Sequence, residues 1–110
     1  MDKKRTLEAL AALSQETRLD AFRLLIQVGA EGLPAGEIGD RLSVKQNTMS
    51  ANLSVLAQAG LIRSVREGRS IRYFADFDGM QGLLSYLLEN CCGGDPEQCQ
   101  PFIAKLGRCC

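Results

Sequence analysis

The chain has 110 residues, 45% of them hydrophobic and 24% charged, with 13 basic and 13 acidic side chains and no formal net charge. That suffices for one small domain around a single core and is too apolar for a disordered chain. No apolar run approaches the roughly 20 residues that cross a bilayer, and the basic start Met1-Asp2-Lys3-Lys4-Arg5 leads into an amphipathic stretch, so a cytoplasmic protein with no membrane partner is expected.

Lys3 to Leu13 reads as a first helix, with Leu7, Leu10 and Ala11 at i, i+3, i+4 spacing. Ser14 suits the N-cap of a second helix, and Glu16 in its first turn suits the helix dipole. Leu19, Phe22, Leu25 and Ile26 give that helix a broad apolar stripe ending at Gly29. Both stripes are expected to form core. Gly32-Leu33-Pro34 reads as a connector, and Pro34 suits the first turn of a third helix running to about Leu42, with Ala35, Ile38 and Leu42 inward. After the turn Ser43-Val44-Lys45, a fourth helix runs from about Gln46 to Ala59. Met49, Leu53 and Leu56 share one of its faces; Asn47, Ser50, Ala51 and Ser54 lie largely opposite, and Gly60 ends it.

Two helices, a short turn and a polar face on the second make a helix-turn-helix pattern, although two packed helices of an all-α bundle fit the same periodicity. The next segment separates the two readings. Leu61 to Arg66 and Ser70 to Ala75 are β-prone runs joined across Glu67-Gly68, where glycine supplies the positive φ of a hairpin. Arg63, Arg66, Arg69 and Arg72 decorate this hairpin against the single acid Glu67. A basic hairpin directly after a helix-turn-helix is a wing. The neutral total thus hides an asymmetry, because Tyr73 to Ala104 carries Asp76, Asp78, Glu89, Asp95 and Glu97 and no base.

A fifth helix is expected from an Asp76 or Asp78 cap to about Asn90, strongly apolar through Met80, Leu83, Leu84, Leu87 and Leu88. Gly93-Gly94 breaks it, and Asp95-Pro96-Glu97-Gln98 resembles the capped start of a short sixth helix carrying Phe102, Ile103 and Leu106. The expected fold is therefore mainly α with a small β-hairpin wing: a winged helix-turn-helix of four helices, two strands, a fifth helix and a short C-terminal helix. It spans 1–110 as a single domain, with 91–110 as a cysteine-rich tail. All five cysteines (Cys91, Cys92, Cys99, Cys109, Cys110) lie in that tail, and the chain has no histidine. In a reducing compartment, clustered thiols point to a thiophilic ion or to redox chemistry more than to structural disulfides.

Taken in order, several segments resemble the ArsR/SmtB family of metal-responsive winged-helix repressors over about 90 residues. They are Leu10-Ala11-Ala12-Leu13-Ser14 with Thr17-Arg18-Leu19, then Glu37-Ile38-Gly39-Asp40-Arg41-Leu42 and Met49-Ser50-Ala51-Asn52-Leu53-Ser54-Val55-Leu56. Ala59-Gly60-Leu61-Ile62 and the wing Arg66-Glu67-Gly68-Arg69 complete the set. The resemblance implies a homodimer formed through the first and fifth helices, here through Leu7, Leu10, Leu83, Leu84 and Leu87. It also implies an apo form that holds operator DNA and an inducer that releases it. Three departures narrow the type. Ala51-Asn52 stands where members often have Arg-His. The stretch around Leu42-Ser43-Val44 lacks the Cys-Val-Cys arsenic site of the third helix, and the zinc site of the fifth helix needs histidines that this chain does not have. What remains is similar to members whose arsenic-binding cysteines follow the fifth helix, here Cys91, Cys92 and Cys99.

Trivalent arsenic takes three thiolates in a trigonal pyramid, so As(III), with Sb(III) as a second candidate, is the expected inducer, and no organic cofactor is expected. Cys99 near a helix start would have a favoured thiolate. A thiol redox switch is the rival reading, and a metal-sequestering protein without DNA binding is a third. An enzyme is not expected: there is no histidine, phosphate-binding glycine motif or recognisable acid pair. For double-stranded operator DNA, Gln46, Asn47, Thr48, Ser50 and Ala51 on the fourth helix are candidates near base edges, unless Gln46 and Asn47 cap their own helix. Lys45, Arg66, Arg69 and Arg72 are candidates for phosphate or minor-groove contact.

Overall fold

The computed structural model describes residues 1–89, 91–94, 97, 101, 104 and 105. Among the described residues, five α-helices and three strands follow in the order α1 (Lys3–Leu13), α2 (Glu16–Val28), β1 (Leu33–Pro34), α3 (Ala35–Leu42), α4 (Gln46–Gln58), β2 (Ile62–Glu67), β3 (Ser70–Ala75) and α5 (Phe77–Leu87). Short 3-10 turns lie at Gly29–Glu31 and Cys91–Gly94. This is a winged helix-turn-helix, mainly helical with a small antiparallel wing, as the helix-turn-helix pattern followed by a basic hairpin predicted.

The core is built where α2, α3 and α4 meet the sheet. Leu25, Ile38, Met49, Leu53, Leu56 and Leu61 are fully buried there. Each isolated helix is too short to persist in water, so this shared apolar face is what holds them. The turn between α3 and α4 is tight for a local reason. Ser43 adopts the left-handed region (φ 57°), and the backbone N–H of Val44 then donates to the carbonyl of Gly39 at 2.9 Å. A Cβ on Gly39 would meet the Val44 carbonyl oxygen at 2.9 Å, so a bare backbone is needed at that position. At its other end α4 closes with Leu61 N–H on the carbonyl of Leu56 (3.1 Å) and Gly60 at φ 80°, a left-handed C-terminal cap.

Five expectations are corrected. Leu33–Pro34, read as a connector, is a strand: it pairs antiparallel with β3 through Leu33 and Tyr73 and through Pro34 and Arg72, giving the sheet order β1-β3-β2. Proline has no N–H to give a ladder, and it sits here on an edge strand of two residues, where that costs least. The inward face of α1 is Thr6, Ala9 and Ala12, not the Leu7, Leu10, Ala11 stripe, which is exposed. Small residues let α1 lie close on its neighbours, and the leucines are left outside. Leu19 of α2 is likewise exposed. The cap of α2 is Gln15, whose side chain accepts from Arg18 N–H at 2.8 Å; Ser14 instead closes α1, donating its hydroxyl to the carbonyl of Ala11 at 3.0 Å. Finally, α5 is capped by Asp76, as expected, but ends at Leu87, short of Asn90.

Candidate nucleic-acid interface

The fourth helix is pinned from one side only. Met49, Leu53 and Leu56 are buried, while Gln46, Asn47, Thr48, Ser50, Ala51 and Ser54 are all exposed. The helix starts at Lys45, which is exposed and gives no side-chain cap, so the first-turn N–H groups and the positive end of the dipole face outward. Asn47 is partly turned to local work, its Oδ1 accepting from the N–H of Thr48 at 2.9 Å. Gln46 makes no cap of the helix.

The wing stands beside this face. Its register pairs Ile62 with Ala75, Ser64 with Tyr73 and Arg66 with Ile71 on one side of the ribbon, and Arg63 with Phe74 and Val65 with Arg72 on the other. Arg66 and Arg69 are exposed around the Gly68 turn (φ 61°). Gln46 and Ser50 of α4 face Arg69, Ser70, Ile71 and Tyr73 of the wing across a cleft of about 250 Å³ floored by Pro34, Ala35 and Gly36. Helix face and wing are therefore adjacent walls of one groove.

Two of the four wing arginines are engaged within the protein. The guanidinium of Arg63 stacks over the Phe74 ring at 4.5 Å from its centroid. Arg72 donates through Nε to Glu67 Oε1 (2.8 Å) and through Nη1 to the carbonyls of Glu31 (3.0 Å) and Gly32 (3.3 Å). Arg72, a candidate for phosphate contact by sequence, instead ties the wing to the segment entering β1. A further arginine not singled out for a role, Arg18, links helices: its Nε donates to the carbonyl of Ala12 and its Nη1 to Asn52 Oδ1. Nothing in the local sequence announces that contact, because its partners are 6 and 34 residues away.

Residues 13–65, from the end of α1 into the wing, match the helix-turn-helix domain family. The chain is 30% identical over 93 residues to the uncharacterized HTH-type transcriptional regulator YbzH of Bacillus subtilis, covering 74% of this chain and 93% of that protein. It also superposes on an ArsR-like transcriptional regulator from Rhodococcus sp. RHA1 with a TM-score of 0.68 at 28% identity, over 94% of this chain and 92% of that one. The chain belongs to the ArsR family of winged-helix transcriptional regulators. Its relatives are DNA-binding regulators, not enzymes. A further structure, the homodimeric winged helix-turn-helix DNA-binding domain of Mb0332 from Mycobacterium bovis, described as a possible ArsR-family regulator, aligns with a TM-score of 0.64 at 26% identity over 79% of this chain and 81% of that domain.

Among the leucines assigned to a subunit interface, Leu7 (60% exposed), Leu10, Leu84 and Leu87 (51%) are presented to solvent from α1 and α5, two helices that pack against each other. Leu83 is not. At 5% exposure it belongs to the core of its own subunit. Cys91 and Cys92 lie in the 3-10 turn Cys91–Gly94 that follows α5, with Gly93 and Gly94 at positive φ. Cys99, Cys109 and Cys110, and the short helix expected after Pro96, fall outside the described residues apart from isolated positions. No helix among the described residues is long and apolar enough to cross a membrane.

Proposed function

We propose that this regulator is a homodimeric repressor that holds double-stranded operator DNA and releases it on binding arsenite, with antimonite as the chemically nearest second inducer. The observation that carries the DNA half is the exposed face of α4 set against Arg69 across one groove, with Arg66 also exposed on the wing. Gln46, Thr48, Ser50 and Ala51 face the base edges, Asn47 contributes less because its amide bonds locally, and Lys45, Arg66 and Arg69 meet phosphates. A dimer reads two half-sites about one helical turn apart.

The chemistry of the donors supports the inducer. Cys91, Cys92 and Cys99 offer three soft thiolates and the chain has no imidazole to favour zinc, which suits a trigonal, thiophilic metalloid. Cys91 and Cys92 stand four and five positions beyond the end of α5, on which Leu84 and Leu87 are exposed. Drawing them toward Cys99 therefore acts on the helix that the dimer uses, away from the reading face.

A labelled duplex enriched by the protein from a randomised pool, followed by fluorescence anisotropy, tests both halves. Arsenite should weaken binding, and DNA should weaken arsenite binding by the same factor. Cys91→Ser, Cys92→Ser and Cys99→Ser should each bind DNA normally and lose the response. Full response in all three variants sinks the ligand assignment. Release by peroxide and recovery with reductant, with no effect of arsenite, would instead identify a thiol redox switch.

A further inference from the structure

We propose that Arg18 is a positioning residue for DNA binding, a clamp that fixes the first turns of α4 against the end of α1; this rests on the regulator reading above. One side chain here serves three helices. Arg18 stands in the first turn of α2, where its own N–H is capped by Gln15. Its Nε donates to the carbonyl of Ala12 at 2.6 Å, one of the last-turn carbonyls that α1 cannot satisfy internally. Its Nη1 donates to Asn52 Oδ1 at 3.2 Å, and Asn52 Nδ2 passes the connection on to the carbonyl of Thr48 at 3.1 Å.

The chemistry suits a clamp. The cationic guanidinium sits at the negative end of the α1 dipole, and its rigid fork sends two donors toward different helices at once. A lysine gathers its three donors on one nitrogen at the end of a flexible stem and lacks that preset planar fork. The same contact settles what Asn52 does. Its oxygen and its nitrogen are both bonded inside the protein and it is half-buried, so it holds Thr48 in place while Thr48, Ser50 and Ala51 stay exposed. Asn52 thus belongs to the support of the reading face and not to the face itself.

The consequence is a link between the helix that presents Leu7 and Leu10 and the helix that presents the polar face. Beside the clamp an open groove of about 570 Å³ is lined from α1 by Glu8 and Ala11 and from α4 by Val55 and Gln58. A shorter side chain at position 18 therefore leaves no sealed void, and the variants should fold.

The test compares Arg18→Met, Arg18→Lys, Asn52→Ala and the Arg18→Met/Asn52→Ala double variant against the duplex enriched by the wild-type protein. Each single change should weaken binding about tenfold, the scale of one charge-assisted hydrogen bond. The double variant should lose no more than the worse single one, since both break one connection. Lysine should not rescue. The slope of log affinity against log salt should stay at the wild-type value, whereas loss of a phosphate contact would reduce it by about 0.9. Hydrogen exchange without DNA supplies an independent reading: Arg18→Met should speed exchange together in the last turn of α1 and around Thr48 to Asn52. Additive losses, a reduced salt slope or unchanged exchange would overturn the proposal. If the wild-type protein enriches no duplex, the regulator reading falls, and the exchange experiment alone judges the clamp.

Discussion

Replacing Gly79 with alanine should destabilise the protein, against the rule that glycine to alanine strengthens a helix. Gly79 lies in the first turn of α5, where removal of backbone freedom alone would favour alanine by about 1 kcal/mol. The space is not there. A Cβ would overlap the carbonyl oxygen of Gly60, and that obstacle is backbone, so no side-chain rotation relieves it. Nor can the helix slide away freely. Asp76 Oδ1 accepts from Gly79 N–H at 3.0 Å, and Asp76 N–H donates to the Leu61 carbonyl at 2.9 Å, pinning the start of α5 to the same turn. Overpacking costs about 1–3 kcal/mol and a lost cap about 1 kcal/mol, so after the propensity gain the net loss is about 1–3 kcal/mol. Gly82 is the internal control. Its Cβ would meet the Met1 side chain at 3.5 Å, an ordinary contact with a flexible partner, so Gly82→Ala should stabilise by about 0.5–1 kcal/mol. Urea unfolding followed by far-UV circular dichroism, at matched protein concentration because association adds apparent stability, measures both. Opposite signs are expected. If Gly79→Ala is as stable as the wild type, the close approach of α5 to Gly60 is not how the helix packs.

Three shorter predictions address the turn, the wing and the interface. Ser43→Gly should stabilise the protein by about 1 kcal/mol, read as a higher urea midpoint, because a non-glycine residue is held at φ 57° there; a lower midpoint would mean that the serine side chain matters more than the backbone. Arg66→Ala and Arg69→Ala should each flatten the salt dependence of DNA affinity by about 0.9, while Arg72→Ala leaves the slope alone and instead speeds hydrogen exchange in β1 and β3. Equal slopes for all three variants would erase the distinction. Leu7→Glu combined with Leu87→Glu should sediment as a monomer with an unchanged helical spectrum, since both side chains are exposed in the isolated subunit; a persistent dimer would move the interface elsewhere.

The sequence was most legible where local period and burial agree. In α4, Met49, Leu53 and Leu56 define one buried face, so the opposite exposed set followed directly. The ends of β3 were equally readable, since alternation and Gly68 fix the hairpin. What failed was everything decided at a distance. Leu33–Pro34 becomes a strand only because Tyr73 and Arg72 lie beside it, and a proline-bearing pair has no strand signature of its own. In α1 periodicity found two faces but could not say which turns inward. The larger leucines suggested one answer, and close packing through Thr6, Ala9 and Ala12 imposed the other. Arg72 looked like its neighbours Arg66 and Arg69, and only the carbonyls of Glu31 and Gly32 set it apart. The reading of Cys91, Cys92 and Cys99 as an ion site rests on composition, five thiols without one histidine, and on resemblance; Cys99 lies outside the described residues.

These distant contacts also define how the reading helix is held. At its middle, α4 is tied through Asn52 and Arg18 to the end of α1. At its finish, Gly60 closes the helix and at the same time abuts Gly79 in the first turn of α5. The two attachments lead to α1 and α5, which expose Leu7, Leu10, Leu84 and Leu87, and neither uses the polar face. A rearrangement of α1 against α5 therefore has a mechanical route to the middle and the end of α4 without any group entering the groove. The Gly79→Ala variant provides a way to separate the two attachments, because it loads only the second. If both attachments position the helix, that variant should lose DNA affinity at temperatures where it remains folded, with its salt slope unchanged and with hydrogen exchange around Arg18 undisturbed. Loss of affinity that instead tracks unfolding would leave the Arg18 clamp as the sole positional link.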